Sequence, residues 1–179
     1  GKTNDPHHLF FFSGNYSITL SDKQKLSLPY IQVPDPIFIQ GPWELNFPEG
    51  LGAPSKIILN NLISLKDHEI DGVKYFSGTV TYRNTFNIPI SYISPNIRLF
   101  LDLGWVEVIA EVWINDHYVN TSWTIPHRMD ITDFVHSGKN NLLVKVTNLW
   151  PNRLIGDEQL PSESEYNGGG NGPRAEFMA

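Results

Sequence analysis

Residues 101–157 read LDLGWVEVIAEVWINDHYVNTSWTIPHRMDITDFVHSGKNNLLVKVTNLWPNRLIGD, and apolar residues recur in this stretch with a period of two. Val106, Val108, Ala110, Val112 and Ile114 fall on one side of an extended segment, while Glu107, Glu111 and Trp113 fall on the other. That is the alternation of a strand packed on one face. Leu142, Val144 and Val146 repeat it against Leu143, Lys145 and Thr147. The intervening segments read as loops, and they hold Trp123, His127, Arg128, Trp150, Asn152 and Arg153. A sandwich fixes the ends of its loops and leaves their tips free of the core, so variable chemistry collects there.

Outward from this stretch, strand signals cover 43–47, 57–59, 75–86, 96–103, 106–114, 118–120, 129–131 and 141–146. Eight strands with little helix between them predict an all-β, antiparallel sandwich of jelly-roll type. Short helical turns are expected only at 61–67 and 132–135. Towards the N-terminus, 9–12, 16–20 and 26–28 read as short strands of a small β element, with turns at 13–15 and 21–23. The segment 29–42 carries Pro29, Pro34, Pro36 and Pro42, which cannot donate to a ladder, so it reads as an extended linker. The expected organisation is a β element and linker over 1–37, a jelly roll over 38–161 and a flexible, glycine-rich tail over 162–179.

At 179 residues the chain can bury a substantial core, on the order of 70% of its unfolded surface. Thirteen Lys and Arg stand against 19 Asp and Glu, a formal charge of -6 without a basic block, which argues against nucleic acid as a partner. The absence of cysteine excludes disulfides, thiolate metal sites and a cysteine nucleophile. No apolar run reaches the roughly 20 residues that a membrane-spanning helix needs.

Five ordered motifs carry a resemblance: GPWEL (41–45), DHEIDGVKYFSGTVTYRNTF (67–86), LDLGWVEVIAEVWIND (101–116), WTIPHRMDIT (123–132) and NNLLVKVTNLWPNRLIGD (140–157). Together they resemble the galactose-binding-like, sugar-binding jelly roll of glycoside hydrolases. The resemblance is closest to the C-terminal part of family 106 α-L-rhamnosidases and more distant to family 2. Asn115 is followed here by Asp116 and His117 where the family commonly has glycine after the Asn, Asn120 replaces a downstream glycine, and Leu65 stands where a tryptophan is often seen. Both turn replacements tolerate a left-handed conformation. The resemblance implies a non-catalytic accessory domain of a periplasmic or secreted bacterial enzyme, partnered by carbohydrate or by a neighbouring catalytic domain. It also implies that a structural calcium can be carried, although no Asp or Asn spacing nominates its ligands.

The residues bear on these expectations directly. Hydrolysis of a glycoside needs two carboxylates flanking the bond, roughly 5 to 9.5 Å apart. Glu107 and Glu111 share a strand face but lie ~13 Å apart if extended, which suits a solvated or inter-domain face. Asp157, Glu158, Glu163 and Glu165 read as solvated loop and tail residues, and the His7-His8 pair lacks a third metal ligand nearby. Saccharide contact needs an aromatic plane and planar polar groups, the types that Trp123, His127, Arg128, Trp150, Asn152 and Arg153 supply. The competing reading of the same cluster is loop fixation, with Arg153 pairing to Asp157. Trp113 and Ile109 point away from the aliphatic core, so they are candidates for an interface or a concave binding sheet.

Overall fold

The computed structural model describes residues 9–159, and the chain divides into two compact units, Gly1–Phe38 and Ile39–Ala179. In the first unit, β1 (Ser17–Thr19) and β2 (Lys25–Ser27) form an antiparallel hairpin. Lys23 has a positive φ of 69° in its turn, and a bridge from Gly14 to Ile31 extends the pairing. Residues 9–12 form no strand: the Tyr16 hydroxyl bonds the Phe12 carbonyl, and its ring packs on Phe10 at 4.5 Å between centroids.

The second unit is a sandwich of eight antiparallel strands: β3 (Trp43–Asn46), β4 (Lys56–Leu59), β5 (Thr79–Ile88), β6 (Phe100–Asp102), β7 (Ile109–Ile114), β8 (His117–Ser122), β9 (Arg128–Asp130) and β10 (Gly138–Thr147). Six of them make one sheet in the order β4-β3-β5-β10-β7-β8, and β6 and β9 pair separately. The split is uneven because the inner face of the large sheet is covered by that ribbon, whose paired Leu101 and Met129 are both buried, and by turns around Val73, Phe76 and Ile131. From the large sheet the core takes Trp43 and Leu45 of β3 and, at even positions of β5, β7 and β10, Val80, Phe86, Ala110, Val112, Ile114, Leu142 and Val144. Full burial of each large aliphatic side chain contributes about 1.5–3 kcal/mol.

Strand β7 is shorter than the alternation predicts, because 106–108 are irregular and pairing starts at Ile109. Similarly, 75–78 precede β5 instead of joining it, since a helical turn, α1 (Asp71–Lys74), occupies the segment just before. A further helix, α2 (Pro151–Asp157), stands where the sequence reads as a loop, so Trp150 is its N-cap and Asn152, Arg153 and Asp157 lie within it. Pro151 sits at its first turn, where no N–H is needed. At Gly156 a Cβ would come within 2.8 Å of Tyr75, so only glycine lets α2 approach the segment before β5 this closely.

The turn between β7 and β8 has two residues, and both Asn115 and Asp116 take positive φ, 50° and 65°. Such a turn matches the twist of paired strands. A register shift beyond Val112 then sets Tyr118 opposite Trp113, whose rings meet edge to face at 5.4 Å.

Candidate functional site

Three connections leave the same end of the large sheet: the segment before Ile109, the segment after Ser122, and the segment after Thr147. Register requires this, because Ile109 pairs with Thr147 and Ala110 pairs with Ser122. Each connection carries one indole in water. Trp105 is 83% exposed, Trp123 70% and Trp150 61%, with Ile125 and Leu149 also exposed beside them in sequence. Indole surface left in water at three neighbouring connections is a standing cost, which a stacked ligand or partner would remove.

The polar residues at this end are occupied by the protein itself. His127 is only 4% exposed, and its Nδ1 shares a 2.8 Å hydrogen bond with the Ser122 hydroxyl. Arg128 opens β9, where its guanidinium donates to Asp102 across the ribbon, at 2.6 Å from Nη2 and 3.2 Å from Nε. That guanidinium, with the Gly104 amide, holds the Asp102 carboxyl below its ordinary value. Arg153 is 5% exposed and pairs with Asp157 one turn on at 3.1 Å. Asn152 is half-buried on α2. Of the six residues singled out from sequence, Trp123 and Trp150 are therefore displayed, while His127, Arg128 and Arg153 brace the connections that display them.

Trp105 is the residue that sequence reasoning missed. It follows Gly104, which has a positive φ of 66° and donates its N–H to the Asp102 carboxylate, and this tight turn throws the indole outward. The signal was present as Asp102-Leu103-Gly104, an Asp two residues before a glycine. Its Nε1 donates to Glu107 at 2.7 Å, which fixes the ring and engages that carboxylate. Glu107 lies outside β7, so it does not share the strand face of Glu111.

Trp113 and Ile109 lie on the outer face of the large sheet, but Glu111 stands between them, in register with Lys145 of β10. The Lys145 ammonium sits 4.9 Å from the Trp113 ring centroid. The outer face therefore alternates charged and apolar groups. Among the described residues no three His, Asp or Glu side chains gather that could hold a metal ion. No helix among them is long and apolar enough to cross a membrane. The His7-His8 pair, Glu163, Glu165 and the tail over 162–179 lie outside the described residues.

Residues 22–168 match the family described as glycosyl hydrolases family 2, sugar binding domain. A putative beta-glucuronidase of Formosa agariphila is 48% identical over 136 residues, covering 76% of this chain and 12% of that protein. A rhamnosidase from Novosphingobium sp. PP1Y is similar in structure, with a TM-score of 0.65 and 36% identity over 76% of this chain and 13% of that one. A beta-glucuronidase from an uncultured Clostridium sp. shares the fold at a TM-score of 0.53, with 20% identity over 66% of this chain and 24% of that one. The chain thus spans about an eighth of the length of the first two.

Proposed function

As the chain belongs to the sugar-binding domain family of family 2 glycosyl hydrolases, we propose that it is the non-catalytic, carbohydrate-binding part of an α-L-rhamnosidase-like enzyme. The observation that carries this reading is the display of Trp105, Trp123 and Trp150 at one end of the sandwich on braced connections. An indole covers the apolar face of a pyranose and leaves the sugar hydroxyls in water, so contact costs little desolvation of polar groups. Similarity in structure to the rhamnosidase, at 36% identity, supports the choice of enzyme, while 48% identity to a putative beta-glucuronidase supports a glucuronidase-like enzyme as the second reading. The same reading implies export to the periplasm or beyond.

A purely structural module that docks on a catalytic barrel is the competing reading. It calls for indoles folded beneath their loops and a continuous apolar patch around Trp113 and Ile109. Instead the indoles are exposed, and Glu111 with Lys145 interrupts the patch.

Calorimetric titration with rhamnose, galactose and pectic oligosaccharides tests the proposal. Millimolar binding is expected, and replacing Trp123 and Trp150 together with alanine is expected to weaken it about tenfold or more, at about 1.4 kcal/mol per tenfold. Absence of binding at millimolar sugar, with the fold intact, would overturn it. Aryl rhamnosides and galactosides are expected to show no turnover by this chain.

A further inference from the structure

The outer face of the large sheet holds a groove of about 500 Å3 that is separate from the indole-bearing end. Register builds it as a row across five strands: Ile58 beside Glu44, Glu44 beside Arg83, Arg83 beside Leu143, and Leu143 beside Trp113. Thr85 and Asn141 form the next row, and Asp116 closes the groove at the β7–β8 turn. Residues two apart share a face, so these side chains rise from the same surface.

Their bonding state is the informative part. Among the described residues, the side chains of Arg83, Thr85, Asn141 and Asp116 make no hydrogen bond or ion pair within the protein. In contrast, the other arginines of the sandwich (Arg98, Arg128 and Arg153) each pair with an aspartate. Glu44, the carboxylate beside Arg83, is engaged by Lys56 at 2.5 Å; this contact is the main cause of its lowered pKa, and the charge of Arg83 adds a smaller contribution. Arg83 acts on Glu44 through its charge alone, so its planar fork of donors makes no hydrogen bond within the groove that Leu143 also lines.

A guanidinium fork matches a carboxylate with two parallel hydrogen bonds. A threonine hydroxyl, an amide and a carboxylate beside it match sugar hydroxyls. Trp113 lies two strand spacings from Arg83, ~10 Å, which suits an oligosaccharide better than a single ring. Its ring is held between the Lys145 ammonium and the Tyr118 edge, so the indole forms a fixed wall at that end. We propose that this groove is a second saccharide site, which takes an acidic oligosaccharide and holds one uronate carboxylate on Arg83. It is independent of the loop-end site, because none of the three exposed indoles lines it.

The test titrates the full chain with an oligogalacturonate and with a neutral galacto-oligosaccharide of equal length, in parallel for Arg83→Gln, Arg83→Lys and the Trp123→Ala/Trp150→Ala pair. The acidic ligand is expected to bind about tenfold tighter than the neutral one, and less so as salt is raised. Arg83→Gln is expected to abolish that preference, and Arg83→Lys to restore only part of it, because an ammonium lacks the fork. The indole pair is expected to leave the preference intact. Equal binding of the two ligands, or a preference unchanged in Arg83→Gln, overturns the groove site. A preference lost only in the indole pair also overturns it, by moving acidic-sugar recognition to the loop end. Neutral binding unchanged in the indole pair would instead sink the loop-end reading alone. Arg83 is exposed on its strand, so matching melting curves are expected to confirm that its variants remain folded.

Discussion

The two ends of the sandwich handle their exposed chemistry in opposite ways. At the end formed by the β7–β8 turn and the start of β10, amides are turned inward: Asn140 is fully buried and donates to the His136 and Gly138 carbonyls, while its Oδ1 accepts from the His136 N–H and from Asn115. Asn115 also donates to the Phe134 carbonyl and accepts from the Asn141 N–H. At the opposite end the polar groups are again consumed internally, by Ser122–His127 and Arg153–Asp157, but three indoles remain in water. At one end the amides of Asn115 and Asn140 are therefore satisfied by the fold, and the other end keeps apolar surface unspent. The contrast sets a stabilising amide clamp at the first end against the proposed loop-end saccharide contact at the second.

The strongest way to break this contrast is Asn140→Ala. The change strands the His136 N–H and one donor of Asn115 in a partly buried setting, each costing up to about 1–3 kcal/mol, so a loss of about 2 kcal/mol is expected. Urea unfolding measures it. Saccharide affinity at the loop end is expected to stay within about twofold, since distant sites act independently. An equal loss of affinity would mean that the two ends are coupled.

Gly156→Ala strikes the indole end instead. A methyl group 2.8 Å from Tyr75 forces α2 away from its seat, and overpacking of this kind costs about 1–3 kcal/mol. Here stability and affinity are expected to fall together, because Trp150 caps the displaced helix. The 2.8 Å bond from the Tyr75 hydroxyl to Gln159 gives a second reason for the helix to shift as a unit. Unchanged affinity in a destabilised protein would remove Trp150 from the contact surface.

What the sequence revealed divides along the same line. The strands of the sandwich were legible because Val112, Ile114, Leu142 and Val144 alternate with polar neighbours, and a one-residue slip would turn every core side chain outward. The left-handed conformation of Asp116 was legible from residue type, whereas Asn120, the other glycine replacement, lies within β8 without a positive φ. Helix α2 was hidden because seven residues beginning Pro-Asn look like a turn, and the helix is secured by contacts remote in sequence, such as Gly156 on Tyr75. His127 and Arg153 carry the right chemistry for a sugar; the pairing of Arg153 with Asp157 was legible from their spacing, whereas nothing local announced that Ser122 engages His127. The Asn115–Asn140 bond was beyond reach for the same reason, as was the row joining Arg83 to Trp113, which exists only once register across three strands is known.

The smallest expected effect separates the two ends by acid. Asp102, at the indole end of the β6–β9 ribbon, is held below its ordinary value of 3.8 chiefly by Arg128. At the other end burial pushes Asp130 upward, but the Thr132 hydroxyl at 2.6 Å, the Thr132 N–H at 2.9 Å and Arg98 outweigh it, and its net shift is also downward. Both carboxylates therefore take up protons more readily in the unfolded chain. Their contribution to stability is complete above the ordinary value and is lost as pH falls through 3.8 towards the lower native values. An exposed ion pair contributes little, about 0–1 kcal/mol, whereas Asp130 also anchors the turn that leads to Phe134 and so to the Asn115 clamp. Asp130→Asn is expected to destabilise the protein more than Asp102→Asn near pH 6, and each difference from the wild type is expected to shrink as unfolding is repeated towards about pH 3. Parallel stability curves for wild type and Asp130→Asn across that range would show that the amide end owes nothing to this carboxylate's charge.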